Sequence, residues 1–446
     1  MKLNRPMTAL MCLAFPGGML GGWGSTAWAE AGDHIRLGQA EVIPSVGLRA
    51  VRRSNVYLAE GKTTVGGIAV GAEEQSGTAL RLHPALTIAL DTDDTTLNFN
   101  VDYQAVKFIE EEHQNLDRYK DIELGLVLNT LKDSVVGLKL SERFHITGRE
   151  TEADYASSAY INHLMNSTSG RIAIRPGSSL ELDLGGNYTF DKYDISGETS
   201  SAGSPALNSR TAYGPVVDLK WAFFPKTAIV ASYSHSWFTW ENNLVDTKGD
   251  GITVAEFGET LGIPNGSDWR ATLGLRGRLT EKLVIGLIAG YGEMDYDEAS
   301  VPASAVPSER FDKDLSGFPN GLISIVELGY KATEAQSVTI GYRKAFQDVY
   351  FSNFVDFHNA FLRYEGLFAD RVGAKAQVGY RFEQYVGEVS RDDHLINLGL
   401  DMSYKATKFL DLGAGVKWQQ RGSADGLHSE VEYDDLTISL GLTATY

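Results

Sequence analysis

The sequence predicts an all-β fold: a transmembrane, antiparallel, up-and-down β-barrel of about 18 strands, with about 16 as the nearest alternative. Three observations point there. Apolar and polar residues alternate with a period of two in one segment after another. Short turns and long polar loops alternate along the chain. The chain also ends on such a segment, Leu436 to Tyr446, with its carboxylate on an aromatic residue.

The best segments show two faces. In 180–191, Leu180, Leu182, Leu184, Tyr188 and Phe190 oppose Glu181, Asp183, Asn187 and Asp191. In 97–104, Leu97, Phe99, Val101 and Tyr103 oppose Asn98, Asn100, Asp102 and Gln104. In 372–383, Val372, Ala376, Val378, Tyr380 and Phe382 oppose Lys375, Gln377, Arg381 and Glu383. A soluble β-sandwich would alternate in the same way. It would not gather aromatics near strand ends, where Tyr103, Tyr188, Phe190, Tyr233, Tyr291, Tyr380, Tyr404, Trp418 and Tyr446 fall. Membrane barrels carry such girdles at both interfaces.

The punctuation fixes the order of strands. Tight breaks lie at 91–94, 132–133, 176–177, 225–226, 281–282, 333–335, 369–370 and 407–408. Long polar breaks lie at 53–78, 109–118, 148–159, 193–209, 242–267, 296–318, 351–355, 387–393 and 422–432. The two kinds alternate strictly, as periplasmic turns and outer loops do. Both termini then fall on the periplasmic side. Leu436–Tyr446 is predicted to close the barrel against a first strand near Val42–Val51, with Tyr446 as the signal read by the barrel-assembly machinery.

The ends and the bulk composition agree. Lys2 and Arg5, the apolar stretch Ala9–Leu20 and Ala27-Trp28-Ala29 read as a secretory signal over residues 1–29, leaving 30–446 as one barrel domain. Cys12 is the only cysteine and lies in that signal, without the small residue before it that a lipoprotein needs. The mature chain therefore has no disulfide or thiol chemistry. Past the signal, no apolar run reaches the roughly 18 residues of a spanning helix. These features place the chain in the bacterial outer membrane.

Charge narrows the function. The net is −18, and the excess acid sits in the loops, as in Glu110-Glu111-Glu112 and Asp392-Asp393. Nucleic acid is excluded as a partner; outer-membrane lipid and lipopolysaccharide are expected. The polar strand faces mix both signs. Arg270, Arg276, Arg278, Arg343, Arg381, Glu181 and Asp183 are the candidates to face the lumen. Such charges either pair across strands and stiffen the wall or organise a polar solute.

Two features of the sequence bear on chemistry. Asp246-Thr247-Lys248-Gly249-Asp250-Gly251 with Glu256 echoes a calcium loop, so Asp246, Asp250 and Glu256 are candidate metal ligands. Lys248 occupies a ligand position and the spacing to Glu256 is one residue short, which also fits an Asp-Gly surface turn. No other cofactor is indicated. The nine His include His145, His235, His358 and His394 near strand ends, without a catalytic spacing, so no enzyme is predicted.

Segments Val338-Thr339-Ile340-Gly341-Tyr342-Arg343-Lys344, Phe357-His358-Asn359-Ala360-Phe361-Leu362-Arg363-Tyr364, Asp370-Arg371-Val372-Gly373-Ala374 and Leu275 to Val284 resemble the β-barrel porin 2 family. That resemblance implies an outer-membrane conduit that exports a polysaccharide beside a separate periplasmic export protein. It carries no catalytic residues. The alternative is a diffusion porin for small hydrophilic solutes, with the 242–267 or 296–318 loop folded inward as a constriction.

Overall fold

The computed structural model describes residues 35–58, 63–65, 68–70, 74–147, 162–194, 209–241, 265–297, 314–349, 352–386, 390–424 and 432–446. The predicted signal (1–29) and the candidate calcium loop with Asp246, Asp250 and Glu256 lie outside the described residues. Eighteen antiparallel wall strands close on themselves. They are β1 Ala40–Arg53, β2 Gly77–Asp91, β3 Thr95–Phe108, β4 Arg118–Thr130, β5 Val136–Thr147 and β6 Asn162–Ile174. Next come β7 Leu180–Asp194, β8 Ser209–Phe224, β9 Thr227–Glu241, β10 Gly266–Arg278, β11 Leu283–Tyr296 and β12 Leu322–Thr333. The last six are β13 Gln336–Val349, β14 Ser352–Phe368, β15 Val372–Val386, β16 Arg391–Lys405, β17 Leu410–Ser423 and β18 Tyr433–Thr445.

Closure runs through β1, which pairs with β2 on one side and with β18 on the other, from Ser45↔Thr445 to Arg53↔Thr437. Below that seam, Ile35–Leu37 turns back at Gly38 (φ 67°) and pairs with the foot of β1. The Tyr446 N–H donates to the Pro44 carbonyl at 3.0 Å, and its ring stacks on Phe409. Closing the ladder leaves no open edge strand in the membrane-spanning wall, which a lipid environment demands of a β-structure.

The period of two becomes two surfaces. Leu436, Ile438, Leu440 and Leu442 are all exposed, as are Leu398, Leu400, Met402 and Tyr404. In water such a belt would be costly, at about 1.5–3 kcal/mol for each large side chain; lipid removes that cost. Tyr188, Tyr213, Trp237 and Tyr380 rim the belt above, and Phe224, Phe368, Tyr404 and Tyr446 below. The chain is thus a β-barrel of the bacterial outer membrane. The periplasmic turns are tight: Ala369 and Asp370 both hold positive φ (49° and 55°), and the Arg371 N–H bonds the Phe368 carbonyl, the geometry of a two-residue hairpin turn.

One predicted outer loop is absent. The expected break at 351–355 is instead the start of β14, and only residues 350–351 separate it from β13 among what is described. β13 extends well above β12, and that difference builds the candidate site.

Candidate functional site

β12 stops short. Its ladder with β11 ends at Tyr291↔Leu322, and its ladder with β13 ends at Ser324↔Lys344. Above Lys344, β13 pairs only with β14, through to Val349↔Ser352. The tip is freed from β12 alone, because β14 stays in the ladder with β15 up to Phe354↔Val386. Residues 344–346 and 353–357 are buried without alternation, so both faces of the tip are covered. A wall strand would keep one apolar face open to lipid.

The covering surface is the inner wall of β8–β11. Phe346 and Phe354 from the tip join Ala212, Phe238, Trp240, Met294 and Ile323 in one buried cluster. Their strand-mates Tyr213 and Trp237 point outward and are exposed, which places Ala212 and Phe238 on the lumen side. Polar contacts fix the docking. Arg210 of β8 pairs with Asp348 of β13, and the Tyr296 hydroxyl donates to the Asn353 carbonyl. Leu315 bridges Met294 and seals the gap above β12. The hairpin therefore lies inside the barrel. With strands about 4.8 Å apart and tilted by about 40°, 18 strands give a backbone diameter of about 36 Å, and a packed sheet layer occupies about 10 Å of it.

The other face of the tip meets charge. Val349, Val355 and Phe357 pack with Ala345 and Tyr385. Around Phe357 stand Arg381, with its guanidinium 4.4 Å from the ring centroid, and Arg343 at 5.7 Å. Arg270 lies 4.6 Å over Phe346. Arg270 is paired with Asp268 at 2.8 Å and Arg381 with Glu383 at 2.7 Å. Arg343 has no ion pair among the described residues and its Nε is buried without an acceptor; Arg270 and Arg381 act on it as like charges and Glu327 as an opposite one. Aromatic faces tolerate guanidinium groups in this way. Three guanidinium groups therefore line the neck beside the hairpin.

The remaining sequence candidates are distributed elsewhere. Arg276 and Arg278 lie at the periplasmic end of β10, away from the hairpin. Glu181 and Asp183 lie low on β7, where Lys139 bonds both at 2.7 and 2.6 Å and Arg175 bonds Glu181 at 2.8 Å. Those two carboxylates stiffen the wall rather than present free charge. A third arrangement was not anticipated: Arg421 bridges Glu383 and Asp393, and Arg391 pairs with Asp393 at 2.9 Å, all almost fully buried. His358 and His394 hydrogen-bond the Tyr342 and Tyr380 hydroxyls, and His235 packs 4.4 Å from Trp237. These are the companions of an interface belt. Among the described residues no group of His, Cys, Asp and Glu is placed to hold a metal ion.

The described part of the constriction is the β13–β14 tip, which was not expected from the sequence; Tyr296 and Leu315 of the 296–318 segment pack against it, and 242–264 and 298–313 lie outside the described residues. Arg210 and Asp348 were not singled out in the sequence. A signal was present: Ala345-Phe346 and Phe354-Val355 are adjacent apolar pairs that break the two-residue period where a wall strand should keep it.

No family profile matches the chain, and no curated protein matches it. The likeness to the β-barrel porin 2 family thus remains one of strand patterns. Among solved structures the chain is similar to Pseudomonas aeruginosa OpdQ, at 10% identity over 91% of this chain and 97% of that one, with a TM-score of 0.43. It is similar to Acinetobacter baumannii OccAB3, at 10% identity over 91% and 99% of the two chains, with a TM-score of 0.45. Pseudomonas aeruginosa OprD shows 10% identity over 91% and 95%, with a TM-score of 0.41.

Proposed function

We propose that the chain is an outer-membrane diffusion channel for small hydrophilic solutes, with a preference for anions. The observation that carries this reading is the inward β13–β14 tip, which takes up part of the lumen and sets Arg343, Arg270 and Arg381 beside the passage left open. A passage lined by arginines favours anions by concentrating them and by offering forked donors. No enzymatic role is assigned. Polysaccharide export, with its periplasmic export protein, has less support, because a polymer conduit gains nothing from a wedge across its lumen. The lipid belt and the Tyr446 terminus fit lipopolysaccharide and the barrel-assembly machinery as partners.

The test is a planar-bilayer recording across a salt gradient. Steady conductance with a reversal potential on the anion side is expected. A closed barrel whose gene deletion removes a surface polymer and leaves solute uptake intact would favour export instead.

A further inference from the structure

Arg210 stands second on β8, five ladder steps around the wall from β13, yet its guanidinium meets the Asp348 carboxylate. Both side chains are mostly withdrawn from solvent, at 17% and 12% exposure. The charges around them are uneven. Asp191 and Asp268 also act on Arg210, while Asp268 acts on Asp348 as a like charge. Arg270 contributes as well, but it is already bonded to Asp268 at 2.8 Å. Asp348 and Asp268 thus share Arg210 and Arg270, while Asp191, paired with His163 at 3.3 Å, also acts on Arg210. The remaining faces of Arg210 rest near the rings of Phe238 (5.5 Å) and Trp240 (5.8 Å), which hold it on the wall side.

We propose that Arg210 is the positioning residue that keeps the β13–β14 tip docked and so sets the width of the conduit, an inference that rests on the channel reading above. Without the guanidinium, Asp348 faces Asp268 in a poorly solvated pocket, where like charges repel far more strongly than in water. The β13 edge of the tip then undocks from β8–β11, while β14 keeps its ladder with β15. If Asp348 is neutralised too, the repulsion is gone, and Phe346 and Phe354 keep their apolar contacts. The two partners are therefore not equivalent: losing the arginine opens the passage, and losing the aspartate leaves it narrow.

The mature chain has no cysteine, so a single introduced thiol reports on docking. Ala212→Cys places a small thiol on the wall under the tip, where Ala212 is 4% exposed. The full mature chain is folded into liposomes and labelled with a charged maleimide. Slow labelling is expected in this background and with Asp348→Asn. Labelling at least about tenfold faster is expected with Arg210→Gln, and slow labelling again with Arg210→Gln/Asp348→Asn. Unchanged labelling in a folded Arg210→Gln barrel overturns the proposal, as does fast labelling in the double variant. If Arg210→Gln alone fails to assemble, assembly and slow labelling of the double variant support the same repulsion, and failure of both overturns it. Conductance on the same proteins separates the two claims. Faster labelling without current in any variant removes the channel reading and leaves the positioning role intact. Current in the parent, with neither labelling nor current altered by Arg210→Gln, removes the positioning role alone.

Discussion

Lys344 and Asp356 face each other across β13 and β14 at the level where the hairpin leaves the wall, with Nζ 2.8 Å from the carboxylate. Nζ also donates to the Asn320 carbonyl at 3.1 Å, which ties the hairpin to the segment that tops β12. Both side chains are nearly excluded from solvent, at 8% and 11% exposure. A buried ammonium that loses its carboxylate is an uncompensated charge. Asp356→Ala is therefore expected to cost about 3–5 kcal/mol of local stability, while Lys344→Met/Asp356→Leu costs much less because it leaves no charge behind. Protease cleavage within 344–357 checks this: fast in the single variant, slow in the double.

Arg421 serves the adjoining wall in a related way. It contacts Glu383 at 3.1 Å and also Asp393, and its Nη2 donates to the Tyr385 hydroxyl, with all of these groups at or below 4% side-chain or residue exposure. Arg421→Leu leaves part of that acid unpaired and is expected to lower unfolding stability by about 3–5 kcal/mol. Arg421→Lys keeps the charge but loses the fork and should fall between. Urea midpoints of the folded barrel decide the order.

A pH dependence is expected in the extracellular cap over β2 and β3. There the short helix Glu111–Leu116 packs Leu116 on Val56, Val106 and Phe108. Burial pushes the Glu110 carboxyl up, but hydrogen bonding from the Thr78 backbone N–H, at 2.8 and 3.0 Å, helps to hold it below the usual carboxylate range. A lowered folded-state value means the stabilisation is present above the unfolded-state value and is lost as the pH falls through the folded one. Proteolysis between Ile109 and Arg118 should therefore rise only in acid, below the ordinary range for glutamate. In Glu110→Gln the acid-dependent step should disappear.

Arg343, unlike Arg270 and Arg381, has no ion pair among the described residues, so it is expected to carry selectivity rather than stability. Arg343→Gln should leave the folded barrel intact and reduce the anion-to-cation permeability ratio about twofold or more. Lys139→Gln provides the contrast. It strands Asp183 and leaves Glu181 to Arg175 alone, and should reduce stability with little effect on selectivity.

How much of this was legible follows from what period two encodes. Leu436, Ile438, Leu440 and Leu442 alternate with Thr437, Ser439, Gly441 and Thr443 because a strand between lipid and water has one apolar face, and that pattern located the wall and its closing seam. The tight breaks located the periplasmic turns for a similar local reason. The hairpin tip obeys another rule. Phe346 and Phe354 are buried against the inner wall while Val349 and Val355 are buried on the opposite face, so the alternation is lost and the segment passes for a loop. Arg210 and Asp348 lie 138 residues apart, and no local spacing announces that a strand will bend across the lumen to bring them together. Among the charges, the sequence placed Glu181, Asp183, Arg270, Arg343 and Arg381 on polar faces. Which of them are neutralised depends on cross-strand partners that register alone supplies.

The central claim is that a hairpin folded inside the wall sets the passage. Single-channel conductance of the chain, compared with a variant in which residues 346–356 are replaced by a tight Asn-Gly turn between the paired Ala345 and Phe357 and Lys344 is changed to Met, tests it most directly. The hairpin lies above the last β12 contact, so the shortened barrel should still assemble. A larger unitary conductance and a weaker anion preference are expected. A shortened, folded barrel with the conductance and selectivity of the parent would contradict the account.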